Sequence, residues 1–135
     1  MIGCTGSIAT IRIVQIIIAF QKNFNLRIIF TKPAKFFSDE VIKDYAQFEM
    51  ENDIKFYYDE DEWSEYKTSQ QVLHIELRKW ADAILLAPLS ANTLAKITNG
   101  ICDNLLVNRY ELYNCARLVL FGHGTLINLD FMRLQ

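Results

Sequence analysis

The chain has 135 residues, long enough for one domain and short for two. Hydrophobic residues make up 51% and charged residues 22%, a composition that builds a core and excludes disordered and low-complexity classes. The formal net charge of −2 leaves no basic field for nucleic acid or an anionic membrane surface.

Three cysteines, Cys4, Cys102 and Cys115, form an odd set without a CxxC pair, which points to a reduced, cytoplasmic protein rather than a disulfide scaffold. The most apolar stretch, Ile11 to Phe20, is too short to span a bilayer and carries Arg12 and Gln15. Gly3-Cys4-Thr5-Gly6-Ser7 stands where a secretory leader would have a basic segment. Only Met1 to Cys4 are available for a strand before the glycine turn, so the first strand is expected to be clipped.

In chain order, Ser7 is predicted to cap a helix running to about Lys22. Its polar positions form one narrow stripe among Ile, Val and Phe, so it needs cover on more than its sheet side, from a subunit interface or a second layer. Leu26 to Thr31 reads as a short buried strand, broken by Lys32-Pro33 and followed by a helix through Val41 and Tyr45. Ile54 to Tyr58 is a weaker strand, and the acidic run Asp59 to Glu62 after it reads as a solvated loop. Gln71 to Trp80 is helical, with Leu73, Leu77 and Trp80 on one face. Ala83 to Ala87 is a central strand stopped by Pro88, Ala91 to Ile97 begins another helix, and Leu118 to Phe121 is the last strand. Strands alternating with helices over short connections predict a single α/β domain over residues 1–135, with a doubly wound parallel sheet and helices on both faces. Ligands in such sheets bind beyond the carboxyl ends of the strands.

Two turns and one side chain stand out. Gly3-Cys4-Thr5-Gly6-Ser7 lies at a strand-to-helix junction, where backbone N–H groups and the helix dipole favour a phosphate; a tight turn with a capping serine is the alternative. It is neither the three-glycine dinucleotide fingerprint nor a P-loop. Ser90, Asn92 and Thr93 place short hydrogen-bonding side chains at the start of the helix after the central strand, suited to phosphate, hydroxyls or the edge of a flat ring; ordinary N-capping is the alternative. His74 sits beside the apolar stripe of its helix, where it serves either as a structural histidine or as a group facing a cleft. A metal site from His74, Cys102, Cys115 and His123 has no recognisable ligand spacing, and none is expected.

Together the segments are more specific than any one alone. His74-Ile75-Glu76-Leu77-Arg78-Lys79-Trp80-Ala81-Asp82, Ala87-Pro88-Leu89-Ser90-Ala91-Asn92-Thr93-Leu94-Ala95-Lys96 and Gly100-Ile101-Cys102-Asp103-Asn104-Leu105-Leu106 closely resemble the phosphopantothenoylcysteine decarboxylase family, the homo-oligomeric flavin-containing cysteine decarboxylases. Cys4-Thr5-Gly6-Ser7, Thr31-Lys32 with Phe37, and Asp59-Glu60-Asp61-Glu62-Trp63 resemble it in the same order. The resemblance runs over about residues 2 to 106, is strongest to the eukaryotic members, including the fungal halotolerance proteins that regulate a protein phosphatase, and dissolves from Val107 onward.

The resemblance implies a flavodoxin-like fold and a trimer that holds FMN at each subunit interface. It places Gly6, Ser7 and Ile8 at the FMN phosphate, Thr31 and Lys32 on a second contacting turn, and Ser90, Ala91, Asn92 and Thr93 on a third. His74 matches the catalytic histidine. The implied reaction is FMN-dependent decarboxylation of 4'-phosphopantothenoylcysteine to 4'-phosphopantetheine, a step in coenzyme A synthesis. The family's Pro-Ala-Met-Asn motif is absent: Gly122 to Asn128 follows the last predicted strand, and Asn128 is out of register with the motif's Asn. The family's flap cysteine would fall beyond Gln135, and Cys115 precedes the strand and does not replace it. The chain is therefore expected to be shorter than the family's full domain. Three readings follow: a lyase that works as a homotrimer or in a heterotrimer with a fuller paralogue; a non-catalytic flavoprotein regulator of a protein phosphatase; or an inactive fragment.

Overall fold

The computed structural model describes residues 1–43, 53–69, 72–108, 118–122 and 125–129. Strand β1 (Ile2–Cys4) leads through a 3-10 segment (Ile8–Arg12) into α1 (Ile13–Phe20), then β2 (Arg27–Phe30), α2 (Lys32–Lys43) and β3 (Lys55–Tyr58). Helices α3 (Asp61–Ser69) and α4 (Leu73–Trp80) precede β4 (Ile84–Leu86) and α5 (Ala91–Thr98), and the pair β5 (Leu118–Gly122) and β6 (Thr125–Leu129) follows. The strands form one sheet in the order β3-β2-β1-β4-β5-β6. From β3 to β5 all pairings are parallel, and β6 returns antiparallel to β5, from Leu118 opposite Leu129 to Gly122 opposite Thr125.

The sheet is buried on both faces, and the period of two in the strand sequences decides which residue goes where. Ile28 and Phe30 point to the same side as Ile2 and Cys4, where Ile13 and Ile17 of α1 and Ala34 of α2 close over them. Ile29 points the other way, into a second cluster with Ile84, Leu86 and Leu106 and with Leu73 and Leu77 of α4. This is the doubly wound arrangement the alternating elements predict. The chain runs outward from β1 to β2 and β3, then crosses to the other side of β1 for β4, so strand order reverses between β1 and β4.

Three expectations need correction. The helix after Ser7 begins as a 3-10 segment and α1 ends at Phe20, short of Lys22. The Thr10 N–H bonds Ser7 O at 2.9 Å and the Thr10 hydroxyl bonds Thr5 O at 2.9 Å, which winds that first turn tight. The acidic run is not a solvated loop: Asp61 and Glu62 open α3, and the Asp61 carboxylate accepts the N–H of Tyr58 at 2.7 Å. The strand at Leu118 is not the last, because Thr125 to Leu129 adds β6 after Gly122, paired antiparallel to β5. Asn128 lies on β6 opposite Val119. Tyr45 and Gln71, named as helical, lie outside the described residues.

Helix α1 buries Ile13 and Ile17 and leaves Ile8, Ile11 and Ile18 exposed along the same segment, at 73%, 49% and 42%. The described residues do not supply the extra cover this helix is expected to need. No helix among the described residues is long and apolar enough to cross a membrane.

Leu77 is fully buried between α4 and the sheet, whereas Trp63 is 70% exposed on α3. Leu77→Ala is expected to lower unfolding stability by about 2–5 kcal/mol and Trp63→Ala by under about 0.5 kcal/mol, as read from urea midpoints. Equal losses would contradict the packing described for α4.

Candidate functional site

Three turns leave the carboxyl ends of β1, β2 and β4 and meet where the strand order reverses. Their junction is Thr5, which is completely buried. Its hydroxyl donates to Pro88 O at 2.9 Å and accepts the Ser90 N–H at 2.6 Å, and its own N–H also reaches Pro88 O at 3.2 Å. One β-hydroxy side chain thus ties the turn after β1 to the turn after β4, eighty-odd residues later. Next to it, the Thr31 N–H bonds Cys4 O at 3.1 Å and fixes the turn after β2. Gly6 lies against the Pro33 ring, where an added Cβ would sit 2.5 Å from the proline Cβ. A side chain at position 6 would force the first and second turns apart.

The residues expected at these turns are brought together, with different degrees of freedom. Ser7 caps the 3-10 segment, its Oγ accepting the Ala9 N–H at 3.3 Å, and beside it Gly6 is half-buried and Ile8 exposed. Thr31 is buried and Lys32 exposed at the start of α2. Ser90 caps α5: its Oγ accepts the Thr93 N–H at 3.2 Å and donates to the Thr93 hydroxyl at 3.1 Å, so these two side chains serve each other. Ala91 and Asn92, in the first turn of α5, are exposed. Asn92 is therefore the polar side chain of that turn best placed to meet a ligand. Two helix starts, at Ser7 and at Ser90, converge on the reversal point with their positive ends toward it.

Sequence reasoning missed Thr5 and Asp59. The Asp59 carboxylate accepts the N–H of Lys32 with one oxygen and of Leu105 with the other, each at 3.1 Å, clasping the second turn to the segment after α5. That segment starts from a helix end closed by Gly100 at φ 67°, with the Gly100 N–H on Ile97 O and the Ile101 N–H on Lys96 O. Lys96 pairs with Asp103 at 2.6 Å, and the Asn104 side chain accepts the Val107 N–H at 3.0 Å, turning Leu105, Leu106 and Val107 into the core. An acidic run read only for its charge gives no hint of such a clasp, since the acceptors' partners are backbone groups far along the chain.

Glu62, four residues past β3, holds His74. Its Oε1 lies 2.7 Å from the His74 Nδ1, and its Oε2 accepts the His74 backbone N–H at 3.2 Å. The imidazole therefore stands at the first turn of α4, on the carboxyl-end side of the sheet where the three turns lie. Cys4 is wholly buried beneath that cluster, and burial pushes its thiol far up, leaving a neutral, unreactive group. Cys102 is exposed, while Cys115 and His123 lie outside the described residues. Among the described residues no three His, Cys, Asp or Glu side chains gather as metal ligands. An open hollow lined by Phe20, Phe24, Trp80 and Asp82 lies at the opposite, amino end of the strands and shares no residue with the turns.

A parallel sheet whose order reverses between β1 and β4, with helix-opening turns knitted over that point, defines a flavodoxin-like doubly wound α/β protein. The chain belongs to the flavoprotein family, whose model matches residues 1–120. It is 43% identical over 107 residues to a phosphopantothenoylcysteine decarboxylase from Oryza sativa subsp. japonica, covering 78% of this chain and 46% of that one. It superposes on a solved cysteine-to-serine mutant of PPC decarboxylase complexed with pantothenoylaminoethenethiol with TM-score 0.75 and 35% identity, covering 92% of this chain and 65% of the other. The FMN binding protein AtHal3 matches with TM-score 0.74 and 35% identity, over 90% of this chain and 63% of its own. The chain spans about half the length of the curated relatives it matches.

Burial raises the Asp59 carboxyl above its ordinary 3.8; the Leu105 and Lys32 N–H groups oppose the rise, and Glu60 and Asp103 add to it. An acid whose folded value is raised favours folding fully below 3.8 and loses that contribution as pH climbs through the higher folded value. Asp59→Asn removes the titration and leaves one backbone N–H facing an amide donor, a loss of about 1 kcal/mol. The stability gap between wild type and variant is expected to be widest below pH 3.8 and to narrow as pH rises, in urea titrations at several pH values. A gap that widens with pH would contradict the assignment.

Proposed function

We propose that this chain is an FMN-binding domain of the phosphopantothenoylcysteine decarboxylase type, a cytoplasmic carboxy-lyase unit of coenzyme A synthesis. The observation that carries the reading is the knot at Thr5, which gathers two helix starts and three turns over the reversal point of a flavoprotein-family sheet. The donor set fits the cofactor. Gly6 lets the first turn close against Pro33, and the helix start and Ser7 hydroxyl beside it suit a phosphate. The exposed Asn92 amide suits the polar edge of a flat ring, and Thr31 with Lys32 lines the turn between them. Ser90 and Thr93 support Asn92 by holding the first turn of α5 rigid.

The chemistry explains why such a site is needed. A carboxylate on a saturated carbon does not leave unaided, because the carbanion left behind has nowhere to delocalise its charge. FMN held by these turns would supply a reversible two-electron acceptor for the cysteinyl carbon next to sulfur. Of the chain's own residues, the turns would orient the ring, and His74 would orient the substrate carboxylate and move a proton. The exposed Ile8, Ile11 and Ile18 supply a surface for packing against further subunits in a trimer, which can include a longer chain contributing the Asn of the missing motif and the flap cysteine.

The test is a visible absorption spectrum taken across a sizing column. Wild type is expected to carry the visible flavin bands on a species of about three chains. Asn92→Asp, which sets a negative charge beside an electron-rich ring, is expected to weaken FMN binding about tenfold, or ~1.4 kcal/mol. Supplied with phosphopantothenoylcysteine and a full-length relative, the wild-type assembly releases CO2, and His74→Asn does not. A colourless chain overturns the flavin site. A yellow trimer that never decarboxylates points instead to a flavoprotein regulator.

A further inference from the structure

The reading of His74 as the proton-moving group leaves open which of its ring nitrogens does the work. We infer that Glu62 is the positioning residue for His74, and that its two oxygens lock the ring with hydrogen on Nδ1 so that Nε2 is the atom that gives and takes the proton. The inference rests on that reading of His74 and adds to it the identity of the partner and of the reacting atom.

The geometry has three parts. One oxygen of Glu62 stands 2.7 Å from Nδ1, the length of a strong charge-assisted bond. The other oxygen accepts the backbone N–H of the same residue at 3.2 Å. A carboxylate that holds both the main chain and the ring of one histidine fixes the ring's rotation as well as its place. Third, both side chains are largely withdrawn from water, at 15% and 18% exposure, so the pair is not a solvated surface contact that exchanges partners freely.

The chemical consequence follows from what a carboxylate can do. Ionised, it only accepts, so the nitrogen facing it must carry a hydrogen in both the neutral and the protonated ring. A proton that leaves or joins the ring then does so at Nε2. The local sequence leaves a place for this contact: the N-cap of α4 is Val72, whose side chain offers no hydrogen bond, and Glu62 from the preceding helix meets one of the N–H groups such a start leaves unpaired. Glu62 thus does two jobs, closing the end of α4 and orienting the first functional side chain on it.

The experiment reads the tautomer directly. Long-range 1H–15N spectra of the 15N-histidine-labelled, flavin-loaded protein, recorded at alkaline pH, are expected to show His74 protonated at Nδ1. Glu62→Gln keeps the shape but has only one acceptor oxygen for two donors, and Glu62→Ala has none; in both, the Nδ1–H population is expected to fall in favour of Nε2–H. Gln is the informative variant if Ala loosens α4. In the assembled enzyme, Glu62→Gln is expected to lower kcat about tenfold or more with KM and flavin content unchanged. Wild-type His74 carrying its hydrogen on Nε2, or a tautomer that neither variant moves, overturns the inference; so does unchanged kcat in Glu62→Gln when His74→Asn abolishes turnover. His74→Asn without effect would instead remove the role of His74 in the reaction, and the spectra would still decide whether Glu62 sets its tautomer.

Discussion

A buried hydroxyl at the end of β1 is the contact on which the site depends. Strands β1 and β4 are neighbours, but the segments leaving them run in different directions, one into α1 and the other into α5. Without a bond between them, the crevice at the reversal point would have walls of independent position. Thr5 supplies that bond by using its oxygen in both senses, donating to Pro88 O and accepting from the Ser90 N–H. Because both partners are backbone groups, the geometry survives changes in the side chains around it. Because Thr5 is fully buried, leaving either bond unmade would carry the whole desolvation cost of the group.

Around that knot the chain spends its polar groups on shape more than on display. Ser7, Ser90, Asp59, Asp61 and Glu62 bond backbone N–H groups and so set the path of the turns. Of the polar side chains expected at the site, the Asn92 amide and the Lys32 ammonium remain outward. Such a division suits a ligand that brings its own reactivity, since the protein then needs to hold and orient more than to react.

Much of this is legible in the sequence. Apolar runs and their punctuation by Gly6, Pro33 and Pro88 suffice for β1, β2 and β4 and for helices on both faces, because a strand buried on both sides has few ways to be written. The turns at Gly6-Ser7 and Ser90-Asn92 were visible as motifs. Their closeness was not, since it depends on Thr5 meeting residues more than eighty positions away. The acidic run shows the limit most clearly. Counted as charge, Asp59 to Glu62 is a wet loop; in the fold, Asp59 meets Lys32 and Leu105, and Glu62 meets His74, partners that composition does not name. Strand β6 is hard to read from sequence because Thr125 to Leu129 has no strict alternation, and its strand character comes from pairing with β5.

Strand β1 contributes three residues, yet it is the seam between β2 with β3 on one side and β4, β5 and β6 on the other. Neither half of the sheet bonds the other except through it. Opening β1 would therefore leave two fragments, each with a raw edge and a core cut open on both faces, and neither has reason to persist alone. The sheet is thus built to melt as a unit, and a strand of three residues sets the cooperativity of the whole.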